Sequence, residues 1–220
     1  MYKACIFDLD GTLTDTLESL TYSVNATLEE LGLSSITRAQ CRAFVGSGPR
    51  PLLEQSLKAV GDQELVHIEA AVEIYARIFK ESCTYKVEPY EGIVELLESL
   101  KKKGLKLAVL SNKPHLQTNK IVAQFFNEGT FDLAEGLKPE VPRKPDPTAA
   151  WDIAAKLGVE KEECVYIGDS DTDMMTGNNA GMLPVGVTWG FRDRDVLIAH
   201  GARELIDHPE ELLTIIDKGV

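Results

Sequence analysis

Short apolar runs alternate with amphipathic helical segments along most of this chain, and that alternation leaves few folds open. The runs are Lys3–Leu9, Leu105–Leu110, Cys164–Ile167 and Leu183–Val187, with a weaker one around Phe131–Leu133. Most are continuous, as expected of strands covered on both faces in a parallel sheet. Between them, Tyr90–Lys103 carries Ile93, Leu96, Leu97 and Leu100 at helical spacing and ends in three lysines before Gly104. Cations there meet the negative end of the helix dipole, and glycine suits the turn that follows. A second helix is predicted from Asp146 as N-cap and Pro147 as first helical residue, through Ile153 and Leu157, to Gly158. The expected core is α/β, a doubly wound Rossmann-like parallel sheet.

One stretch breaks the rhythm. Residues 16–87 contain no convincing strand, while helices are predicted from Asp15–Glu18 through Leu31, over Arg38–Phe44, over Arg50–Val60 and over Glu64–Phe79. Helices inserted after one strand of a parallel sheet make a separate subdomain. The predicted organisation is a core formed by residues 1–15 and 88–220, with an all-helical cap over 16–87.

Composition removes several classes of function. The net charge of −12 is the wrong sign for a broad phosphate-gripping nucleic-acid surface or for an anionic membrane. No run approaches the roughly 18 apolar residues of a membrane span. The four cysteines stand at least 36 residues apart, so there is no paired zinc or redox motif. With no signal-peptide pattern in MYKACIFDLDG, dispersed thiols fit a reducing cytoplasm.

In open parallel sheets, ligands bind beyond the carboxyl ends of the strands. Here those ends carry Asp8-Leu9-Asp10-Gly11-Thr12, Ser111-Asn112 and Gly168-Asp169-Ser170-Asp171-Thr172-Asp173, while Lys144 precedes a helix N-terminus. Four carboxylates gathered there (Asp8, Asp10, Asp169, Asp173) need a cation, and all-oxygen donors suit a hard one such as Mg²⁺. Lys144, the hydroxyls of Thr12 and Ser111, and backbone N–H groups after Asp8 are candidates to hold a phosphoryl group. Asp8 and Asp10 offer a nucleophile and an acid/base. A calcium loop fails: Asp169, Asp171 and Asp173 match its first ligands, but Met174 replaces its glycine and Ala180 its glutamate. Asp171 and Asp15 are expected to cap helices.

DLDGTLTDT, SN, RKPDP and GDSDTD, in this order, resemble the motifs of the haloacid dehalogenase superfamily, and the helical insert falls where that family's C1 cap belongs. The resemblance implies an aspartyl-phosphate enzyme. Asp8 would be the nucleophile and Asp10 the general acid/base. The carboxylates of Asp8 and Asp169 and the backbone carbonyl of Asp10 would ligate Mg²⁺, with Asp173 close by. Gly11, Thr12, Ser111, Asn112 and Lys144 would bind the phosphoryl group. The dehalogenase branch lacks the second aspartate, so phosphoryl chemistry is implied.

The cap segment Phe44-Val45-Gly46-Ser47-Gly48-Pro49-Arg50-Pro51 resembles the cap loop of phosphoglycolate phosphatases and predicts Arg50 over the active site, pairing with an anionic substrate group. The expected partner is a small phosphorylated metabolite, most readily 2-phosphoglycolate, acted on by a monomer or homodimer. A β-phosphoglucomutase-type phosphotransferase, a PpaX-like pyrophosphatase and a non-catalytic phosphate-responsive binding protein are the alternatives.

Overall fold

The computed structural model describes residues 1–219. In chain order the elements are β1 (Ala4–Phe7), β2 (Thr14–Asp15), α1 (Leu17–Glu30), α2 (Arg38–Phe44), α3 (Pro49–Ala59), α4 (Ile68–Ser82), β3 (Glu88–Pro89), α5 (Ile93–Lys102), β4 (Lys106–Pro114) and α6 (His115–Phe125). They continue with β5 (Leu133–Leu137), α7 (Thr148–Leu157), β6 (Cys164–Gly168), α8 (Asp171–Ala180), β7 (Leu183–Val187), α9 (Arg194–Ala199), β8 (Glu204–Ile206) and α10 (Glu211–Lys218). A parallel sheet runs β5-β4-β1-β6-β7-β8.

The strands sort their side chains by parity, as a pleated sheet requires. Cys5 and Phe7 of β1, Leu107 and Val109 of β4, and Val165 and Ile167 of β6 pack with Ile93, Leu96 and Leu100 of α5. Ala4 and Ile6, with Ala108, Leu110 and Tyr166, face the other way onto Ala150 and Ile153 of α7. Both faces are dry, which is why these runs are apolar throughout. Because β1 lies between β4 and β6, the chain order reverses there, and the crevice beyond its carboxyl end is the ligand site of this topology.

Helices α1–α4 form a second layer with its own core, including Leu20, Val24, Leu28, Leu53, Leu57, Tyr75 and Phe79. This cap leaves and rejoins the sheet through a two-residue ribbon, with Thr14 paired to Pro89 and Asp15 to Glu88. Its helix α2 opens on a capping box between Thr37 and Gln40.

Details differ from the sequence expectations. Strand β4 runs four residues beyond Leu110, through an irregularity in its pairing with β5. Helix α7 starts at Thr148, and Asp146 accepts the Thr148 N–H at 2.9 Å. Asp15 likewise accepts the Leu17 N–H at 3.0 Å from outside α1. Trp151 of α7 is half exposed and donates its indole N–H to the Ala180 carbonyl at 3.0 Å. All four cysteines are buried free thiols. Among the described residues no helix is long and apolar enough to cross a membrane.

Candidate active site

The site is built where β1, β4 and β6 end. Asp8 follows β1 directly and is only 7% exposed. The chain then turns tightly at Gly11, whose φ of +84° is a conformation that side-chain-bearing residues avoid. A Cβ there would stand 2.3 Å from Asp169 Oδ2, so this position also needs glycine to let the carboxylate approach. Asp169 follows β6. Its Oδ1 accepts the Thr12 hydroxyl at 3.0 Å and its Oδ2 accepts the Phe191 N–H at 2.7 Å. The Thr12 hydroxyl, expected on the phosphoryl group, is therefore spent on orienting Asp169.

Helix α8 is capped by Ser170, whose hydroxyl accepts the Asp173 N–H at 3.3 Å while Asp173 Oδ2 accepts the Ser170 N–H at 3.1 Å. Asp171, expected as the cap, lies in the first turn 3.5 Å from Arg192. Asp173 Oδ1 in turn accepts a hydrogen bond from Lys144 Nζ at 2.8 Å.

Asp8, Asp169 and Asp173 present carboxylate oxygens that all lie within 4.8 Å of one another. Lys144 is the buried cation that faces them, bonded to Asp173 and to the Leu110 carbonyl at 3.0 Å. Its Nζ also stands 2.9 Å from Asp8 Oδ1, but as an ion-pair contact whose direction leaves that oxygen without a hydrogen bond. Burial works against the Lys144 charge, yet Asp173 and Asp8 outweigh it and hold the ammonium protonated well above the usual lysine range. Burial pushes the Asp8 carboxyl up to about 7, with repulsion from Asp173 that Lys144 only partly offsets. Burial, then Asp173 and Asp8, hold Asp169 well above the usual carboxylate range. Three buried carboxylates, with Asp8 Oδ1 left without a hydrogen-bond donor, form an all-oxygen cluster that could hold a hard cation beside Lys144.

On β4, Ser111 lines the crevice and its Oγ accepts the Lys113 N–H at 3.2 Å. Asn112, expected on the phosphoryl group, is used up structurally. Its Oδ1 accepts the Lys144 N–H at 2.9 Å, and its Nδ2 donates to the carbonyls of Lys144 and Gly46 at 3.1 Å each. It fixes the segment that carries Lys144 and ties it to the cap. Lys113 was not among the expected site residues. Its ammonium reaches both Asp10 carboxylate oxygens at 2.8 Å and lies 4.8 Å from the Phe79 ring centroid.

The cap sits down on the core. It roofs a small cavity lined by Asp8, Asp10, Ser111, Lys113 and Asp169 below and by Leu20, Val45, Leu52, Tyr75 and Phe79 above. Phe191 and Arg192, just past β7, clamp the two layers. The Phe191 ring packs into the cap core. Arg192 donates to the carbonyls of Arg42 at 2.7 Å and Val45 at 2.6 Å, closing the C-terminal end of α2. Arg50, expected over the site, points elsewhere: its Nη2 donates to both Glu69 oxygens at 2.8 Å and its side chain is 47% exposed. The negatively charged neighbour on α4 captures it on the outer cap surface.

A family model described as haloacid dehalogenase-like hydrolase matches residues 5–187. The chain belongs to that family. It is 32% identical over 218 residues to the phosphoglycolate phosphatase of Aquifex aeolicus, covering 99% of this chain and 98% of that one. The phosphoglycolate phosphatase of Colwellia psychrerythraea is 31% identical over 215 residues, covering 96% and 95%. A solved structure from Lactobacillus delbrueckii, described as a candidate phosphoglycolate phosphatase, matches with a TM-score of 0.89 at 34% identity over 98% of each chain. The haloacid dehalogenase-like chain is thus an enzyme of the phosphatase type.

Proposed function

We propose that the enzyme is an Mg²⁺-dependent phosphatase of a small phosphate monoester, 2-phosphoglycolate, working through a phosphorylated Asp8. The observation that carries this is the placement of Asp8 and Asp10 at the floor of a small cap-covered cavity, with Lys144 beside Asp8. Asp8 attacks phosphorus in line, and the bond to the ester oxygen breaks. Asp10 gives its proton to the leaving alkoxide. Water then displaces Asp8 from the phosphoryl group while Asp10 takes up its proton, releasing inorganic phosphate. Lys144 holds charge on the non-bridging oxygens, and Ser111 offers its hydroxyl to the same group. Asp8, Asp169 and Asp173 would hold Mg²⁺, with the Asp10 carbonyl near; the ion supplies charge neutralisation for the phosphoryl oxygens. The names of the relatives support the choice of substrate.

A phosphate-release screen over 2-phosphoglycolate, β-glucose 1-phosphate, pyrophosphate and nucleoside monophosphates tests the proposal. The highest kcat/KM is expected on 2-phosphoglycolate, and a higher value on any of the others overturns the substrate. Arg50 lies outside the cavity, so Arg50→Ala should leave the ratio of phosphoglycolate to aryl phosphate turnover unchanged. A selective loss on phosphoglycolate would bring that arginine back over the site.

The metal makes a separate prediction. In the metal-free protein Asp8 titrates near 7 in the folded state, against about 4 in the unfolded chain. The folded state therefore keeps a proton that the unfolded chain has released, and stability falls as pH rises through that window. Mg²⁺ needs the ionised carboxylates, so its binding competes with that proton. Adding Mg²⁺ should raise the thermal unfolding midpoint more at about pH 8 than at about pH 5.5. Equal shifts at both values would take Asp8 out of the metal site.

A further inference from the structure

A 2-phosphoglycolate site, on the function proposed above, needs a cation for the substrate's carboxylate as well as groups for its phosphate. Two cationic side chains line the cavity, Lys113 and Arg192. Arg192 is committed: Nε faces Asp171 at 3.5 Å, Nη1 donates to the Arg42 carbonyl, and Nη2 donates to the carbonyls of Ala43 at 3.3 Å and Val45 at 2.6 Å. Lys144 lies beneath the carboxylates, and Arg50 is held by Glu69.

Lys113 is different. Its side chain is 1% exposed, yet its ammonium meets one carboxylate, Asp10, and otherwise the Phe79 ring of the cap. An ammonium has three N–H donors, and an aromatic face satisfies none of them by a strong hydrogen bond. Tyr75 lines the same wall and stacks on Phe79 at 5.0 Å between ring centroids. The connectivity is decisive. Asp10 must reach the ester oxygen to protonate it, and in a 2-phosphooxy acid the carboxylate carbon is one methylene beyond that oxygen. A cation already in contact with Asp10 is therefore placed beside the carboxylate of such a substrate.

We infer that Lys113 is the specificity-determining residue of the site, its ammonium taking the carboxylate of a 2-phosphooxy acid against the wall formed by Tyr75 and Phe79. Selection thus comes from the end of a core strand, with the cap supplying a dry surface that strengthens the ion pair. A residue that only steadied Asp10 would affect all phosphate esters alike. Lys113 discriminates by the second charge.

Two ligands that cannot be hydrolysed separate these roles. 3-Phosphonopropionate carries the carboxylate, and propylphosphonate has a methyl group in its place. Calorimetry in Mg²⁺ should show the wild type binding the first about 30-fold tighter or more, the worth of a buried charge-assisted contact. Lys113→Gln should reduce that preference to about threefold or less, while Lys113→Arg should keep most of it. A wild-type preference that survives in Lys113→Gln overturns the assignment and leaves the proposed substrate standing. A wild type with no preference overturns the proposed substrate, and the assignment with it. Crystals of the wild type with 3-phosphonopropionate give a check independent of how the variants fold. The carboxylate is expected within hydrogen-bond distance of Lys113 Nζ, and its placement on any other cation overturns the inference.

Discussion

Asp8→Asn should abolish phosphate release from both 2-phosphoglycolate and p-nitrophenyl phosphate, a loss of about 10⁴-fold or more. Asparagine keeps the size of the side chain but cannot attack phosphorus, so no step after substrate binding is available. The fold should survive. Asp8 is one of three carboxylates facing Lys144, and burial already pushes its carboxyl up to about 7. Removing that charge relieves repulsion, so the metal-free variant should unfold no earlier than the wild type at about pH 8, where the wild-type carboxylate is ionised. Circular dichroism on heating, beside the phosphate assay, checks both halves. Retained turnover would remove Asp8 as the nucleophile. A large fall in the metal-free midpoint would mean that Asp8 stabilises the cluster rather than straining it.

Most of this site was legible because parallel sheets put their ligands at strand ends, and the strand ends stood out as apolar runs stopping at carboxylates. Asp8, Asp10, Asp169 and Asp173 could all be found that way. Sequence says least wherever a side chain's partner lies far off along the chain. Thr12 and Asn112 look like phosphate ligands by type, but Asp169 and Lys144 claim them through contacts that only the closed sheet creates. Arg50 was attractive because two glycines and two prolines surround it, yet its direction is set by Glu69, one helix away. Lys113 was missed for a local reason: β4 appeared to end at Leu110. Once the strand is continued, period-2 geometry puts Lys113 on the same face as Ser111, toward the crevice. That signal was present in the spacing alone.

The loop after β7 carries no sequence signal at all, although it joins the carboxylate cluster to the cap. The Phe191 N–H holds Asp169, its ring enters the cap core, and Arg192 caps α2. Closure of the cap and orientation of one candidate metal ligand are thus two ends of a three-residue contact. Buried charge is the feature most exposed to disturbance here.

Lys144→Met should therefore be the most destabilising single change in the core. The methylene stem is kept, and what disappears is the ammonium 2.8 Å from Asp173, 2.9 Å from Asp8 and 5.8 Å from the Tyr166 ring centroid. Breaking a buried ion pair by removing one partner costs about 3–5 kcal/mol, because the remaining charge stays desolvated. For a chain of this size that is a fall of roughly 10 °C in the unfolding midpoint. The sign of its pH dependence follows from the carboxylates. Without Lys144 the Asp8 carboxyl, already pushed up by burial, loses the cation that lowers it, so the folded variant takes up protons the unfolded one does not. Its deficit against the wild type should shrink toward about pH 5, where those protons neutralise the cluster, and should widen toward about pH 8. Mg²⁺ should recover part of the loss at the higher pH by supplying the missing positive charge, without restoring turnover, since the lysine is also needed at the phosphoryl oxygens. Urea unfolding at the two pH values, with and without Mg²⁺, measures each of these. A deficit independent of pH would assign the loss to packing and leave the charge balance of Asp8, Asp169 and Asp173 unsupported.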